Sequence, residues 1–167
     1  EKELVWDAMR YAEKKGVLLI KAAGNDNDNI DEIIHYPTNF DEKGNSVIQS
    51  LITVGASTED PLVLKASFSN FGKKSVDVFA PGANIMSTVP HDKYKAEDGT
   101  SMASPVTAGV AALVWSHYPN LTALEVKEII MNSVNKDSQL TDISVTGGVV
   151  DAYKAVQLAE QMYSKKK

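Results

Sequence analysis

Along the first part of the chain, apolar positions fall at helical spacing. Leu4, Val5, Ala8, Met9 and Ala12 recur on one face, and Gly16 stands where a helix C-cap belongs. The pattern then changes to an almost unbroken apolar run, Val17 to Ala23, which predicts a buried strand ended by Gly24-Asn25. A helix leading straight into such a strand is half of a βαβ unit, so a parallel sheet is expected. Leu51 to Ala56 and Val76 to Gly82 read as two further strands, the latter stopped by Pro81-Gly82. Between them, Ala66 to Gly72 reads as a short extended piece closed by a turn. Ile85 to Val89 and Lys93 to Ala96 have the lengths of a hairpin. A long helix, small and apolar nearly all round, is expected from Met102 to Tyr118. Thr122 with Glu125 forms a capping box for a helix reaching Val134. Asp151 is placed to cap a last helix to Met162, and Lys165-Lys166-Lys167 reads as a solvated tail. No repeat, low-complexity linker or domain boundary interrupts the pattern.

Composition narrows this picture by exclusion. The 167 residues suffice for one domain with a core, and 43% hydrophobic with 23% charged residues is ordinary for a globular protein. A net charge of -5 argues against a nucleic-acid partner. No cysteine is present, which rules out disulfides and thiolate metal sites. No apolar run approaches membrane-span length. Glu1-Lys2-Glu3-Leu4 has neither the basic nor the apolar region of a signal peptide.

Chemistry concentrates in Gly99-Thr100-Ser101-Met102-Ala103-Ser104-Pro105. A glycine turn delivers Ser101 onto the start of the long helix, and Pro105 is expected in its first turn. Free N–H groups and the positive end of the dipole would lie beside the Ser101 hydroxyl. Such a place favours developing negative charge, as when a nucleophile attacks a carbonyl. On spacing alone a Ser/Thr cap on a core helix accounts for the motif better, and Asn25 alone reads as a turn residue. Asp26 to Glu32 alternates carboxylates and amides as a calcium loop does. Ile30 stands at the fifth position and Asp31 where glycine is needed at the sixth, so it reads as a solvated acidic loop.

The Gly99 to Pro105 motif resembles the nucleophile motif of the subtilisin-like serine proteases, the subtilases. Three other segments resemble that family in its chain order: Ala22-Ala23-Gly24-Asn25; Leu51 to Ala56 with Phe68-Ser69-Asn70-Phe71-Gly72; and Val76 to Gly82 with Ile85 to Val89. The resemblance implies an α/β fold, a three-layer α/β/α sandwich on a mainly parallel sheet, of which residues 1–167 supply the C-terminal portion. It implies a serine endopeptidase acting on protein or peptide substrates through an acyl-enzyme on Ser101. Asn25 would serve the oxyanion hole and Gly24 would line the substrate pocket. Met102 would be an oxidation-sensitive neighbour of the nucleophile.

The base is missing from this pattern. The family's histidine precedes its oxyanion asparagine, and no histidine precedes Asn25. His35 is followed by Tyr36-Pro37, unlike the family's His-Gly-Thr. His91 lies in the expected hairpin loop. His117 is 16 residues along the helix from Ser101, or about 24 Å. The Asp-Ser/Thr-Gly motif is absent too. The chain therefore reads as the nucleophile and oxyanion half of the domain, inactive alone, whose partner is the N-terminal portion with the Asp and His. The alternative is a pseudo-protease, a binding or structural module without chemistry. No cofactor is required, no metal is expected at the site, and a structural calcium ion stays an open but unsupported alternative. Family habit implies a secreted or envelope-associated protein. With the N-terminal portion absent, the edge of Val17 to Ala23 and the apolar residues Val106, Val110, Leu113 and Val114 would be uncovered, so self-association is expected.

Overall fold

The computed structural model describes residues 2–41 and 43–164; the Lys165-Lys166-Lys167 tail lies outside them. Helix α1 (Lys2–Lys14) leads through Gly16, at φ 77°, into β1 (Leu19–Ala22). Then follow β2 (Leu51–Ser57), β3 (Val78–Pro81), the hairpin of β4 (Ile85–Val89) and β5 (Lys93–Glu97), and α2 (Thr100–His117). Helix α3 (Ala123–Asn132), β6 (Asn135–Lys136), β7 (Gly148–Val149) and α4 (Ala152–Ser164) complete the order. The main sheet runs β1-β2-β3-β7-β6, parallel throughout except for the last pair. The expected parallel sheet and hairpin are both present. The short strands β6 and β7 have no counterpart in the sequence pattern, because two residues are too few to show an alternation.

Alternation on the central strands divides the core in two. Ile52, Val54, Ala56, Val78 and Ala80 face α2, α3 and α4, where Ala103, Val114, Val126, Ile129 and Ala159 meet them. Phe79 points to the other face and joins Ala23, Ile30, Val76 and Leu140. Gly55 makes room for it, since a Cβ there would stand 2.5 Å from the Phe79 ring. Lys21 also points to that second face and donates to Pro37 O, on the segment that Trp6 of α1 holds by donating to Thr38 O. On α1, Trp6 is the buried residue, while Leu4 and Val5 are exposed. The expected apolar face of α1 is therefore not its buried face.

Both capping expectations hold. Thr122 and Glu125 make the reciprocal box at α3, and Asp151 accepts from Lys154 N at α4. Pro105 differs from expectation. Helix α2 begins at Thr100, so Pro105 stands in the second turn and removes a hydrogen bond to Ser101 O.

Candidate active site

The site forms where β1 ends and α2 begins, at the carboxyl ends of the parallel strands, the usual ligand-binding edge of such a sheet. The Ala80-Pro81-Gly82 stretch brings β3 against the serine turn: Gly99 N donates to Gly82 O at 2.7 Å. A Cβ on Gly82 would lie 2.8 Å from Gly99 O and 2.6 Å from Ala56 Cβ, so that approach requires glycine.

Thr100 ties the two turns together. Its N–H and its hydroxyl both donate to Asn25 Oδ1, at 2.9 and 3.0 Å, and its Oγ1 accepts from Gly24 N at 3.1 Å. A backbone N–H can only donate, so the Asn25 oxygen must face Thr100 and the amide nitrogen must face away. That Nδ2 has no acceptor among the described residues, and Asn25 is exposed. The Ser101 N–H is likewise unengaged; the next two N–H groups, of Met102 and Ala103, turn to Gly99 O. An ideal Cβ on Gly99 would stand 3.6 Å from Asn25 Nδ2 and 3.6 Å from Ser101 N. Glycine at 99 thus leaves open the space onto which both donors border. Met102 Sδ lies 3.4 Å from the same point.

Helix α2 is not capped by a side chain: its N-cap is Gly99, and neither Thr100 nor Ser101 fills that role. The Ser/Thr-cap account of the motif therefore fails. Ser101 is exposed, and its hydroxyl takes no partner among the described residues. His91 lies in the β4–β5 turn, and His117 ends α2 with Nδ1 against Leu113 O. His35 pairs with Asp28 at 2.9 Å and Asp26 at 3.7 Å. None of the three bonds to Ser101.

The acidic loop is exposed at Asp26, Asn27, Asp31 and Glu32, as expected of a solvated loop, and is hydrogen-bonded to the segment between β2 and β3. Asp26 N and Asp28 N both donate to Asn70 Oδ1, and the Asp31 carboxylate accepts from Lys74 N and Ser75 N. Lys65 donates to Asn27 Oδ1, and burial lowers the pKa of its ammonium. Asp26, Asp28 and His35 bring one ligand atom each within 4.8 Å of one another and are the described residues that could hold a metal. An imidazole nitrogen is a poor calcium donor, and the His–Asp hydrogen bond accounts for the grouping.

The sequence model of the subtilase family matches residues 2–152. The chain belongs to the subtilase family. It is 40% identical over 121 residues to subtilisin DY of Bacillus licheniformis, an alignment covering 72% of the chain and 40% of that protein. It is 38% identical over 141 residues to the halolysin-like extracellular serine protease Nep of Natrialba magadii, covering 84% of the chain and 23% of the relative. The A-subunit of the AB5 toxin from E. coli superposes with a TM-score of 0.78 at 31% identity, over 95% of this chain and 54% of that one. This subtilase chain thus spans well under two thirds of the proteins it matches. The fold is the expected subtilase α/β arrangement, with its mainly parallel sheet flanked by helices.

The sequence reading brought Ser101, Asn25 and Gly24 to one place, and the structure joins them through Thr100. It gave Thr100 no role. The available signal was a hydroxyl residue directly before Ser101 in the Gly99 to Pro105 string.

Proposed function

We propose that this subtilase chain is the C-terminal portion of a serine endopeptidase that cleaves protein or peptide substrates. Ser101 Oγ attacks the scissile carbonyl carbon, and the carbonyl oxygen takes up the negative charge. Asn25 Nδ2 and Ser101 N donate to that oxygen, a preorganised pair worth most where charge develops. Gly24, one residue before Asn25, borders the pocket for the residue preceding the scissile bond. The base that takes the Ser101 proton, and the aspartate that orients it, come from the N-terminal portion of the domain. The single observation behind this reading is the pair of unengaged donors, Asn25 Nδ2 and Ser101 N, that border the same point beside Gly99, next to an exposed serine. The extracellular relative supports a secreted or envelope location.

The test is made on the full-length protein. Ser101→Ala is expected to abolish peptide hydrolysis. Asn25→Ala should lower kcat by about 10²–10³, the range for losing one oxyanion donor, with a smaller change in KM. Turnover that survives Ser101→Ala would overturn the assignment. A well-folded full-length protein without turnover would instead point to a binding module. The 167-residue chain alone is expected to hydrolyse nothing above background and to label poorly with a fluorophosphonate, having no base to activate Ser101.

A further inference from the structure

Thr100 holds the side chain of Asn25, but something must hold the backbone from which that side chain springs. Four backbone polar groups of this turn go to one residue, Asn70. Asn70 is fully buried. Its Nδ2 donates to Ala23 O at 3.1 Å and its own N–H donates to Gly24 O at 3.0 Å. Its Oδ1 accepts from Asp26 N and from Asp28 N, both at 2.9 Å. The four bonds fall on both sides of Asn25 and none falls on Asn25 itself. Gly24 is shaped to the same purpose. It sits at φ 110°, and a Cβ there would lie 2.3 Å from Asn70 Nδ2. The glycine is therefore the space that admits the Asn70 amide.

We infer that Asn70 is a positioning residue for the oxyanion hole: it clamps the backbone on either side of Asn25 so that Asn25 Nδ2 stays aimed at the developing oxyanion. This rests on the proposed function for its catalytic consequence, but its structural content does not. A hole donor must be in place before charge develops, because reorganising it during the reaction forfeits the gain. An amide held at its oxygen alone could still tilt with its backbone. Asn70 removes that freedom, and being buried it does so without touching substrate. The site has a second brace nearby, since Asn27 N donates to Phe68 O and Phe71 N to Asp28 O. Those bonds hold the following loop and leave the Ala23 and Gly24 carbonyls to Asn70.

The experiment uses the full-length protein and two variants, Asn70→Ala and Asn70→Ser, the second keeping one hydroxyl acceptor for the loop N–H groups. The first readout needs no activity: the order parameter of the Asn25 side-chain amide by ¹⁵N relaxation. It is expected to be near the rigid limit in the wild type and to fall below about 0.6 in the variants, with the α2 backbone unchanged. The second is kinetic. Either variant should lower kcat about 10- to 100-fold with KM within about twofold, and should add less than about twofold in an Asn25→Ala background. An Asn25 amide as rigid in the variants as in the wild type would overturn the inference. So would an equal fall in kcat with or without Asn25, or insoluble protein from both variants, since each makes Asn70 a residue of folding only. If Ser101→Ala keeps wild-type turnover, the proposed function fails, and the order parameter alone decides on Asn70.

Discussion

At position 24 the local conformation and the neighbour make the same demand. A φ of 110° is open to glycine and strained for other residues, and the Asn70 amide fills the place of a Cβ. Gly24→Ala is therefore expected to cost at least the strain of a forced backbone, about 1–3 kcal/mol, and to push Asn70 away from Ala23 O. Urea unfolding of the full-length protein measures the first effect, and an undiminished unfolding free energy would contradict it. Met102 offers a second check at this scale. Its sulfur borders the space that Asn25 Nδ2 and Ser101 N share. Conversion to the sulfoxide should lower turnover while leaving thermal unfolding nearly unchanged, and Met102→Leu should resist peroxide. The strings Gly99 to Pro105 and Ala22 to Asn25, which carry the proposed nucleophile and oxyanion donor, were legible in the sequence because each is short and distinctive. Asn70 was not legible as a partner: it lies 45 positions from Asn25, and a buried amide carries no periodic signal. Only the fold shows that the Phe68 to Gly72 segment passes beneath the Gly24 turn.

Elements were legible in proportion to their length and to how many neighbours share their pattern. The capping box at Thr122 shows how local rules can suffice, since both of its hydrogen bonds form within four residues. Thr122→Ala is expected to cost about 1 kcal/mol, read as a lower melting temperature. On α1 the local rule failed. Five small or aliphatic residues at helical spacing suggested the inward face, yet Trp6 is the side chain that buries, with its Nε1 on Thr38 O. One large aromatic ring with a distant partner outweighs the stripe. The strands carry a charge that hydropathy hides. Asp77 accepts from Thr53 N at the start of β3, and burial raises its carboxyl above the ordinary 3.8, against the opposing pull of Lys127, the Thr53 N–H and Lys21. The folded state then holds this proton more tightly than the unfolded state. Its contribution to stability is full below the ordinary carboxylate value and is lost as pH rises through the folded value. Asp77→Asn keeps an acceptor for Thr53 N and removes the titration. The variant should lose less unfolding free energy than wild type as pH rises above the ordinary carboxylate value. Parallel pH curves for the two proteins would refute this.

At the scale of the whole molecule, the chain spans less than two thirds of the relatives it matches, and its sheet has an open edge. Strand β1 is outermost in its sheet and pairs with β2 alone among the described residues. Val17, which leads into it, is 43% exposed, and Leu19 to Ala22 are half-buried. Lys21, the charge within Val17 to Ala23, guards this edge only weakly. Lys21 spends its ammonium on Pro37 O, and burial lowers its pKa. The helix face needs a correction as well. Val110 and Val114 are covered by the sheet side, while Ala108, Gly109, Ala112 and Leu113 form the exposed strip of α2, with Leu113 at 41%. An open parallel edge beside a small-residue helix strip is a surface that another polypeptide can extend. In the full-length protein we propose that the N-terminal portion of the domain occupies it. For the 167-residue chain alone, a second copy is the available partner. Covering ~400 Å² of apolar surface on each copy favours association by about 20 kcal/mol at 25 cal/mol per Å² before entropy, side-chain ordering and polar desolvation are charged. The isolated chain should therefore sediment as a dimer or larger species at micromolar concentration, and adding the separately made N-terminal portion should dissolve that assembly into a one-to-one complex. Leu113→Glu should weaken self-association by placing a charge in the strip. A monomer at that concentration, with the amides of Val17 to Ala23 protected from exchange, would mean that the chain closes its own edge, and the proposed interface would be wrong.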